Sequence, residues 1–370
     1  MFGDIYKNKK VVVTGHTGFK GSWLIMWLLD LNANVVGISK DIPTKPSMFE
    51  TMNRDGSLIN NIKHYQLDIR DFSKLDEIIK KEKPDFVFHL AAQAIVSLSY
   101  YDPIETISSN VVGTLNVLEV LRGLDYPCVA IMITSDKAYD NINQVWGYKE
   151  NDQIGGKDIY SGSKGAADLL IKSYFHSFFK KENSNIRIGT ARAGNVIGGG
   201  DWAKDRIVVD CMSSWSKNKV VKIRSPDATR PWQHVLEPIS GYLNLGQCLY
   251  INPSLNGESF NFGPKAEQNR TVKQLLFDLS SYWNFSNVED AFKITNEVTF
   301  DEASLLKLNC DKALFFLKWQ AVLEYEDTIK LTSQWYFDFL NTDKDIFKMT
   351  NSQITYYQKK AEKMKLTWME

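Results

Sequence analysis

The sequence has no excess of charge of either sign: its 370 residues carry 44 Lys and Arg against 44 Asp and Glu. That balance excludes a chain built to coat nucleic acid or an acidic membrane surface, since both tasks need a basic surplus. Cysteine is scarce, with only Cys128, Cys211, Cys248 and Cys310 scattered along the chain and no CxxC spacing. In a chain of this size they read as buried, reduced thiols of a cytosolic enzyme and not as a disulfide framework. Five histidines, His16, His64, His89, His176 and His234, show no paired spacing, so no metal site is expected. No stretch reaches the roughly 18 consecutive apolar residues of a membrane-spanning helix. The opening MFGDIYKNKKVVVTG also lacks the apolar core and cleavage site of a secretory leader. What is present, 44% hydrophobic and 12% aromatic residues, is ordinary globular composition and the opposite of the disordered signature. At roughly 150 residues per domain the length suggests about two domains.

Short apolar runs alternate with helical patterns through the first half. Val11–Thr14, Asn34–Ile38, His64–Leu67, Phe86–Leu90, Val129–Ile133 and Ile186–Ala191 read as strands. Between them Ser22–Asp30, Ser73–Lys81, Asn110–Arg122 and Tyr160–Lys180 carry apolar residues at spacings of three and four. Such alternation implies right-handed βαβ units, hence an α/β fold whose doubly wound parallel sheet binds ligands at the carboxyl ends of its strands. After about Gly194 the pattern breaks into Gly-, Pro- and Trp-rich loops. Gln233–Tyr250 and Thr328–Leu340 still look helical, Ser259–Phe262 looks like a strand, and the tail Ile354–Glu370 reads as a surface helix or a frayed end. The expected division is a cofactor domain over 1–194 with about 233–262, and a smaller mixed α/β substrate-binding domain over about 195–232 and 263–370.

The first strand runs into Gly15-His-Thr-Gly18-Phe-Lys-Gly21, and a helix follows at Ser22. Glycine suits a backbone that must turn tightly, approach a pyrophosphate and pack a helix on a strand, while the helix N-terminus favours the anion. This GxxGxxG turn marks a Rossmann-type dinucleotide site, with Gly15, Thr17, Gly18, Phe19, Lys20 and Gly21 as candidate contacts. Asp41 lies twenty residues past Gly21, the offset of an acid that meets the adenosine ribose. The strand ends at Ile38, however, so Asp41 is either that acid or a loop residue two positions late, and Lys40 would tolerate a 2′-phosphate. NAD is favoured over NADP. Asp68 and Ile69 after the third strand are placed to meet the adenine. Ala91, Ala92 and Gln93 after the fourth offer small residues where a cofactor presses on the backbone.

Tyr160-Ser-Gly-Ser-Lys164 opens a helical segment and sets Tyr and Lys one turn apart on one face. A neighbouring ammonium draws a phenol down from its ordinary pKa of about 10 towards the range of a useful base. The pair is weak evidence alone but gains weight with the glycine turn upstream and Ser135 some 25 residues before the tyrosine. Thr134-Ser135-Asp136-Lys137 adds an acid and a base in the loop after the fifth strand. A plain dehydrogenase needs neither, and their presence points to elimination: oxidising a sugar at C4 makes the C5 proton acidic, and water leaves from C6. A surface salt bridge between neighbours is the plain alternative.

At this point GHTGFKGSWL, TSDKAYDN (Thr134–Asn141), WGYKENDQIGGKDIYSGSK (Trp146–Lys164), RAGNVIGGGDWAKDR (Arg192–Arg206) and RPWQHV (Arg230–Val235) together resemble the CDP-glucose 4,6-dehydratase family. Those enzymes belong to the extended short-chain dehydrogenase/reductases, and the resemblance runs from about Lys9 to Trp319. It implies a tightly held NAD, C4 oxidation by Tyr160 and Lys164 with Ser135 assisting, Asp136 as the acid at the C6 hydroxyl, and Lys137 as the C5 base. Lysine has an ordinary pKa of about 10.4, so that last role demands desolvation or a neighbouring cation such as Lys164. An Asp-Lys pair also occurs in an inverting group of UDP-sugar dehydratases and does not fix the sugar.

Asn195 lies where relatives hold the substrate diphosphate or sugar, and Gly198-Gly199-Gly200 would let the backbone come close to phosphate. Arg206, Arg224 and Arg230 carry guanidinium forks suited to a diphosphate, although surface ion pairs would use them equally well. Trp202 and Trp232 either stack on a nucleobase or fill the core, and His234 reads as a core histidine. The expected partner is a nucleotide sugar, with neither nucleic acid nor membrane. A homo-oligomer, dimer or tetramer, is expected through the helices near Asn110–Arg122 and Tyr160–Lys180, where Tyr174, Phe175, Phe178 and Phe179 would leave apolar surface. Dehydration of another nucleotide hexose, 4-epimerisation, and non-catalytic nucleotide-sugar binding are the competing functions.

Overall fold

The computed structural model of the chain describes every residue except 55, 57, 224, 266, 284, 286, 288, 289 and 296–304. Arg224 therefore lies outside the described residues. The first half alternates β1 (Lys10–Thr14), α1 (Phe19–Asp30), β2 (Asn34–Ser39), β3 (Lys63–Gln66), α2 (Phe72–Glu82), β4 (Phe86–His89), α3 (Gly113–Arg122), β5 (Cys128–Ile133), α4 (Ile159–Tyr174) and β6 (Ile186–Ala193). The second half supplies α5 (Ile207–Trp215), α6 (Leu236–Ile251), β7 (Ser259–Phe262), α7 (Tyr325–Asn341) and α8 (Ile346–Lys363), joined by shorter pieces.

All seven strands pair in parallel in the order β7-β6-β5-β4-β1-β2-β3. The apolar strand runs make this arrangement possible, because a parallel sheet is buried on both faces. Alternate residues serve opposite layers. Val11, Val13, Phe86, Phe88, Val129 and Ile131 pack with α1 and the C-terminal helices, whereas Val12, Val87, Ala130 and Met132 pack towards α2 and α3. Strand order reverses between β1 and β4, and a crevice opens at the carboxyl ends there, where α/β sheets take their ligands.

Several boundaries differ from the sequence reading for local reasons. The helix expected over Asn110–Arg122 is α-helical only from Gly113, after a π turn at Ser108–Val112. Asn110 uses its carboxamide there to hold Gln93 and Ser163, and such π turns gather at functional sites. The helix expected to reach Lys180 leaves α geometry at Tyr174 and continues as a π turn over Phe175–Phe179. Of the four aromatics assigned to that surface, only Phe178 is exposed; Phe179 is buried in the core. Gln233–His234 pair with Val196–Ile197 as a short parallel ladder, and the helix begins at Leu236.

The C-terminal tail is neither frayed nor merely superficial. Ile354, Tyr357 and Ala361 on α8 are buried, as is Trp368, whose ring stacks on Phe2 at 5.0 Å. Tyr357 also donates to Glu237 on α6 at 2.7 Å. Among the described residues no helix is long and apolar enough to cross a membrane, and no group of three or more His, Cys, Asp or Glu side chains is placed to hold a metal. All four cysteines are free thiols.

Candidate active site

The turn between β1 and α1 takes its shape from two glycines. Gly15 has φ +75°, and a Cβ on it would lie 2.7 Å from the Ala91 amide; a Cβ on Gly21 would lie 2.2 Å from the Gly15 carbonyl. Both positions therefore exclude side chains. Gly18 is the N-cap of α1, and a Cβ there would meet only the Gly15 carbonyl, at 3.3 Å. No side chain among the described residues caps this helix. Unpaired amides of its first turn thus face the crevice with the positive end of the helix dipole, and these residues fit a dinucleotide pyrophosphate.

Thr17 and Asp41 meet differently from the sequence expectation. The Thr17 hydroxyl donates to the Asp41 carbonyl at 2.6 Å, and its amide donates to Ser39 Oγ at 3.3 Å, so Thr17 ties two loops together. Asp41 itself is exposed, two residues beyond the end of β2. His16 is wedged between Ser39 Oγ (2.9 Å) and His64 Nδ1 (2.8 Å) in space that Gly37 leaves free. Burial, aided by His64, holds its pKa down to about 3, so it is neutral.

Asp68 is engaged by the Arg70 guanidinium at 2.6–3.1 Å, and that hydrogen bonding lowers its pKa. Arg70 reaches Glu105 at 2.6 Å, and Lys40 sits 3.2 Å from the same carboxylate. Ile69 is buried against Gly113. The Ala91 amide donates to Thr14 Oγ1, and Ala92 is half-buried beside it. Gln93 is locked by Asn110 and Thr106.

At the carboxyl end of β5, Ser135 caps a single 3₁₀ turn, Asp136–Ala138. Ser135 Oγ donates to Asp136 Oδ1 at 3.0 Å and accepts from the Lys137 amide at 3.2 Å. Asp136 is buried, with its Oδ2 3.2 Å from where a Gly194 Cβ would stand; Lys137 is half-buried. Opposite, Asp158 caps α4 by accepting from the Ser161 amide at 2.9 Å, which sets Tyr160 and Lys164 on the first two turns. Lys164 Nζ lies 5.9 Å from the Tyr160 ring centre. The Ser135 side chain lies near enough to the Tyr160 phenol to favour its ionised form. Burial pushes that phenol up to about 12, while Arg206 and Ser135 pull it back. Burial and the charge of Lys20 bring Lys164 down to about 8.

Lys20 is thus electrostatically coupled to the Ser135–Tyr160–Lys164 cluster. Burial and Arg206 hold its pKa down to about 8, and Asp136 and Asp201 oppose that shift. Arg206 is ion-paired with Asp201. Asn195 is half-buried, with its carbonyl accepting from Gln233. Arg230 donates to the Thr229 carbonyl at 2.8 Å. Trp202 lies among Trp335, Tyr336 and Phe339, so it fills the core. Trp232 is buried and donates to the Arg270 carbonyl. The run Gly198-Gly199-Gly200, which looked free to approach phosphate, is packed by protein: Cβ atoms on the last two would strike Trp335 and Met48.

The structure brings Ser135, Asp136, Lys137, Tyr160, Lys164, Lys20 and Arg206 to one end of the crevice. Asp41 and Asp68 stand beyond β2 and β3, across the switch in strand order. Sequence reasoning missed Asp168 and Arg192, the buried pair beneath this cluster, although Asp168 falls one turn after Lys164 on the same face of α4. It also missed Lys265 and Lys307, which line a small recess with Gly194, Pro231, Gly263 and Pro264 at the carboxyl ends of β6 and β7.

A switch-point crevice floored by a glycine turn, with a Ser–Tyr–Lys cluster on its wall, defines the short-chain dehydrogenase/reductase class. The model of the GDP-mannose 4,6 dehydratase family matches residues 12–332. The CDP-glucose 4,6-dehydratase of Salmonella typhimurium is 44% identical over 337 residues, covering 90% of this chain and 92% of that protein. Two solved structures share the fold. The UDP-glucose 4-epimerase of Thermotoga maritima with UDP-glucose has a TM-score of 0.75 at 22% identity, covering 90% of this chain and all of that one. The dTDP-glucose 4,6-dehydratase of Bacillus anthracis in complex with NAD has a TM-score of 0.71 at 18% identity, covering 90% and 97%. The chain belongs to the GDP-mannose 4,6 dehydratase family, within the extended short-chain dehydrogenase/reductases.

Proposed function

We propose that this protein dehydrates CDP-glucose to CDP-4-keto-6-deoxyglucose. The observation that supports the chemistry is an acid and a lysine, Asp136 and Lys137, in the same short turn as Ser135, which packs against the helix of Tyr160 and Lys164. Choice of the cytidine sugar rests on the Salmonella relative. NAD, held by the glycine turn of Gly15, Gly18 and Gly21, would supply the hydride acceptor for C4 and the hydride donor for C6, with no net consumption.

Tyr160 takes the C4 hydroxyl proton, with Ser135 orienting that oxygen and the Lys164 ammonium stabilising the phenolate. Lys137, in its neutral form, takes the C5 proton made acidic by the new ketone. Asp136 gives its proton to the departing C6 hydroxyl, and water leaves. Lys137 then returns a proton to C5, and Asp136 is reprotonated as Tyr160 gives up the proton it gained. The balance is loss of one water with no net redox change.

Gly15, Gly18, Phe19, Lys20 and Gly21 would hold the cofactor phosphates and Ala91–Gln93 its inner half, with Thr17 supporting the turn. Asp41, Asp68 and Ile69 would meet its adenosine. Asn195, Arg206 and Arg230 would bind the nucleotide sugar, together with Arg224, which lies outside the described residues. Residues 1–194 with about 233–262 form the cofactor domain in this reading, and about 195–232 with 263–370 the substrate domain. Leu98, Tyr101, Ile104, Val112, Leu169 and Phe178 leave exposed apolar surface that fits pairing with a second copy. Free thiols support a cytoplasmic setting.

Purified protein incubated with CDP-glucose and NAD, without added reductant, is expected to yield a product lighter by one water with no build-up of reduced cofactor. Water loss from UDP-, GDP- or dTDP-hexoses but not from CDP-glucose would keep the chemistry and replace the substrate. Epimer formation without water loss would replace both.

A further inference from the structure

The turn that carries Ser135, Asp136 and Lys137 is fastened at both ends to one buried ion pair. Asp168, on α4 one turn past Lys164, receives two bonds from Arg192 of β6: Nε at 2.8 Å and Nη2 at 2.6 Å. Both side chains are about 3–4% exposed. Before the turn, Thr134 donates its hydroxyl to Asp168 Oδ2 at 2.9 Å. After the turn, Arg192 Nη1 donates to the Tyr139 hydroxyl at 2.7 Å and to the Glu150 carbonyl at 3.1 Å. The Tyr139 hydroxyl donates to Asn261 Oδ1 at 2.8 Å, and Asn261 Nδ2 donates on to the Tyr148 and Asn309 carbonyls. Two residues beyond Arg192, Gly194 lies against the Asp136 carboxylate.

We propose that the Asp168–Arg192 pair is a two-ended clamp that keeps the acid–base turn in register with Tyr160 and Lys164, so that elimination follows oxidation on one stationary sugar. The inference rests on the dehydratase reading above. Its physical content is selective. Oxidation needs Tyr160 and Lys164, which ride on α4 and are set by its Asp158 cap, and takes from the turn only the assistance of Ser135. Elimination needs Asp136 and Lys137, whose distance from that helix is fixed by Thr134 on one side and Tyr139 on the other. Slackening either tether moves the acid and base relative to the sugar while leaving the oxidising pair in place, and small misplacements are costly in catalysis. Asp168, Arg192, Thr134 and Tyr139 are thus positioning residues.

The test uses Thr134→Val and Tyr139→Phe, which each remove one tether without stranding a buried charge. With NAD and CDP-glucose, single-turnover absorbance of reduced nicotinamide reports oxidation, and product mass reports water loss. Each variant is expected to lose about 10-fold in water loss, the scale of one hydrogen bond expressed in a transition state, and distinctly less in oxidation, about three-fold at most, through the displaced Ser135. Reduced cofactor should then accumulate transiently. Equal slowing of both steps in parallel with a lowered melting temperature would make the network merely structural and overturn the clamp, as would unchanged kinetics. Asp168→Asn is the stronger variant; if it fails to fold, the two tether variants still decide. Wild type that removes water from none of CDP-, UDP-, GDP- and dTDP-hexoses would overturn the dehydratase reading itself, and the clamp with it; a hexose accepted in place of CDP-glucose carries the same test. Active wild type with an unshifted partition in both variants would overturn the clamp alone.

Discussion

The two ends of the crevice treat charge in opposite ways. Beyond β2 and β3 the ionic groups satisfy one another at the surface: Arg70 bridges Asp68 and Glu105, and Lys40 sits on Glu105. Beyond β5 and β6 three cations, Lys20, Lys164 and Arg206, converge where burial penalises them, with Asp136 and Asp201 as their counterweights. Exposed pairs of the first kind contribute little, roughly 0–1 kcal/mol, because water screens them and side-chain entropy opposes them. Buried, like-charged groups shift one another's proton affinities, which is the condition an acid–base site needs. The contrast says that the outer end can vary with little consequence and the inner end cannot.

Breaking the inner end should have the largest effect. Tyr160→Phe removes the base and is expected to lower C4 oxidation about 1,000-fold or more, followed as the rate of reduced-cofactor formation. Lys137→Met comes next: oxidation should persist while water loss falls about 100-fold or more, so reduced cofactor and uneliminated sugar accumulate. Unchanged turnover would remove Lys137 from the mechanism.

Lys20→Met sharpens the comparison through pH. Lys164 is lowered to about 8 by burial and then by the Lys20 charge. Its ammonium is needed to stabilise the phenolate, so activity should fall as pH rises through that value. Without Lys20 the Lys164 ammonium persists to higher pH, and the alkaline limb of kcat at saturating NAD should move upward; a downward move would refute the coupling. The smallest effect belongs to the outer end. Arg70→Ala should change the NAD dissociation constant by less than about five-fold, measured by calorimetry, and that loss should shrink further in salt. A 100-fold loss would abolish the distinction between the two ends.

Much of this was legible in the sequence because it depends on short-range rules. Short apolar runs of four to six residues, alternating with amphipathic helical patterns, read as strands covered on both faces, and β1, β4 and β5 lie within a residue or two of their expected limits. Gly15 and Gly21 were legible because backbone atoms exclude a Cβ at both. Tyr160 and Lys164 were legible because one helical turn brings them together. What escaped depends on contacts distant in sequence. Asp168 and Arg192 are 24 residues apart, and each alone resembles an ordinary charged residue. Trp202 could not be assigned until α7 brought Trp335, Tyr336 and Phe339 against it. The tail looked loose because its charged face dominates the composition, while Tyr357 and Trp368 face inward. Gly198–Gly200 misled for the opposite reason, since glycine signals close approach without saying whether phosphate or tryptophan approaches.

The hydroxyl of Thr17, anchored to the Asp41 carbonyl, has a consequence for anyone wishing to alter cofactor choice. Ser39 receives the Thr17 amide and contacts the His16 ring, so the glycine turn and the end of β2 form one hydrogen-bonded unit. An engineer who exchanges Asp41 for a basic residue changes a side chain but leaves its backbone path dictated from residue 17. Residues 15–18 and 39–41 therefore hold one another's backbone path, and if Asp41 meets the adenosine as proposed, a change of cofactor preference would have to alter both segments together.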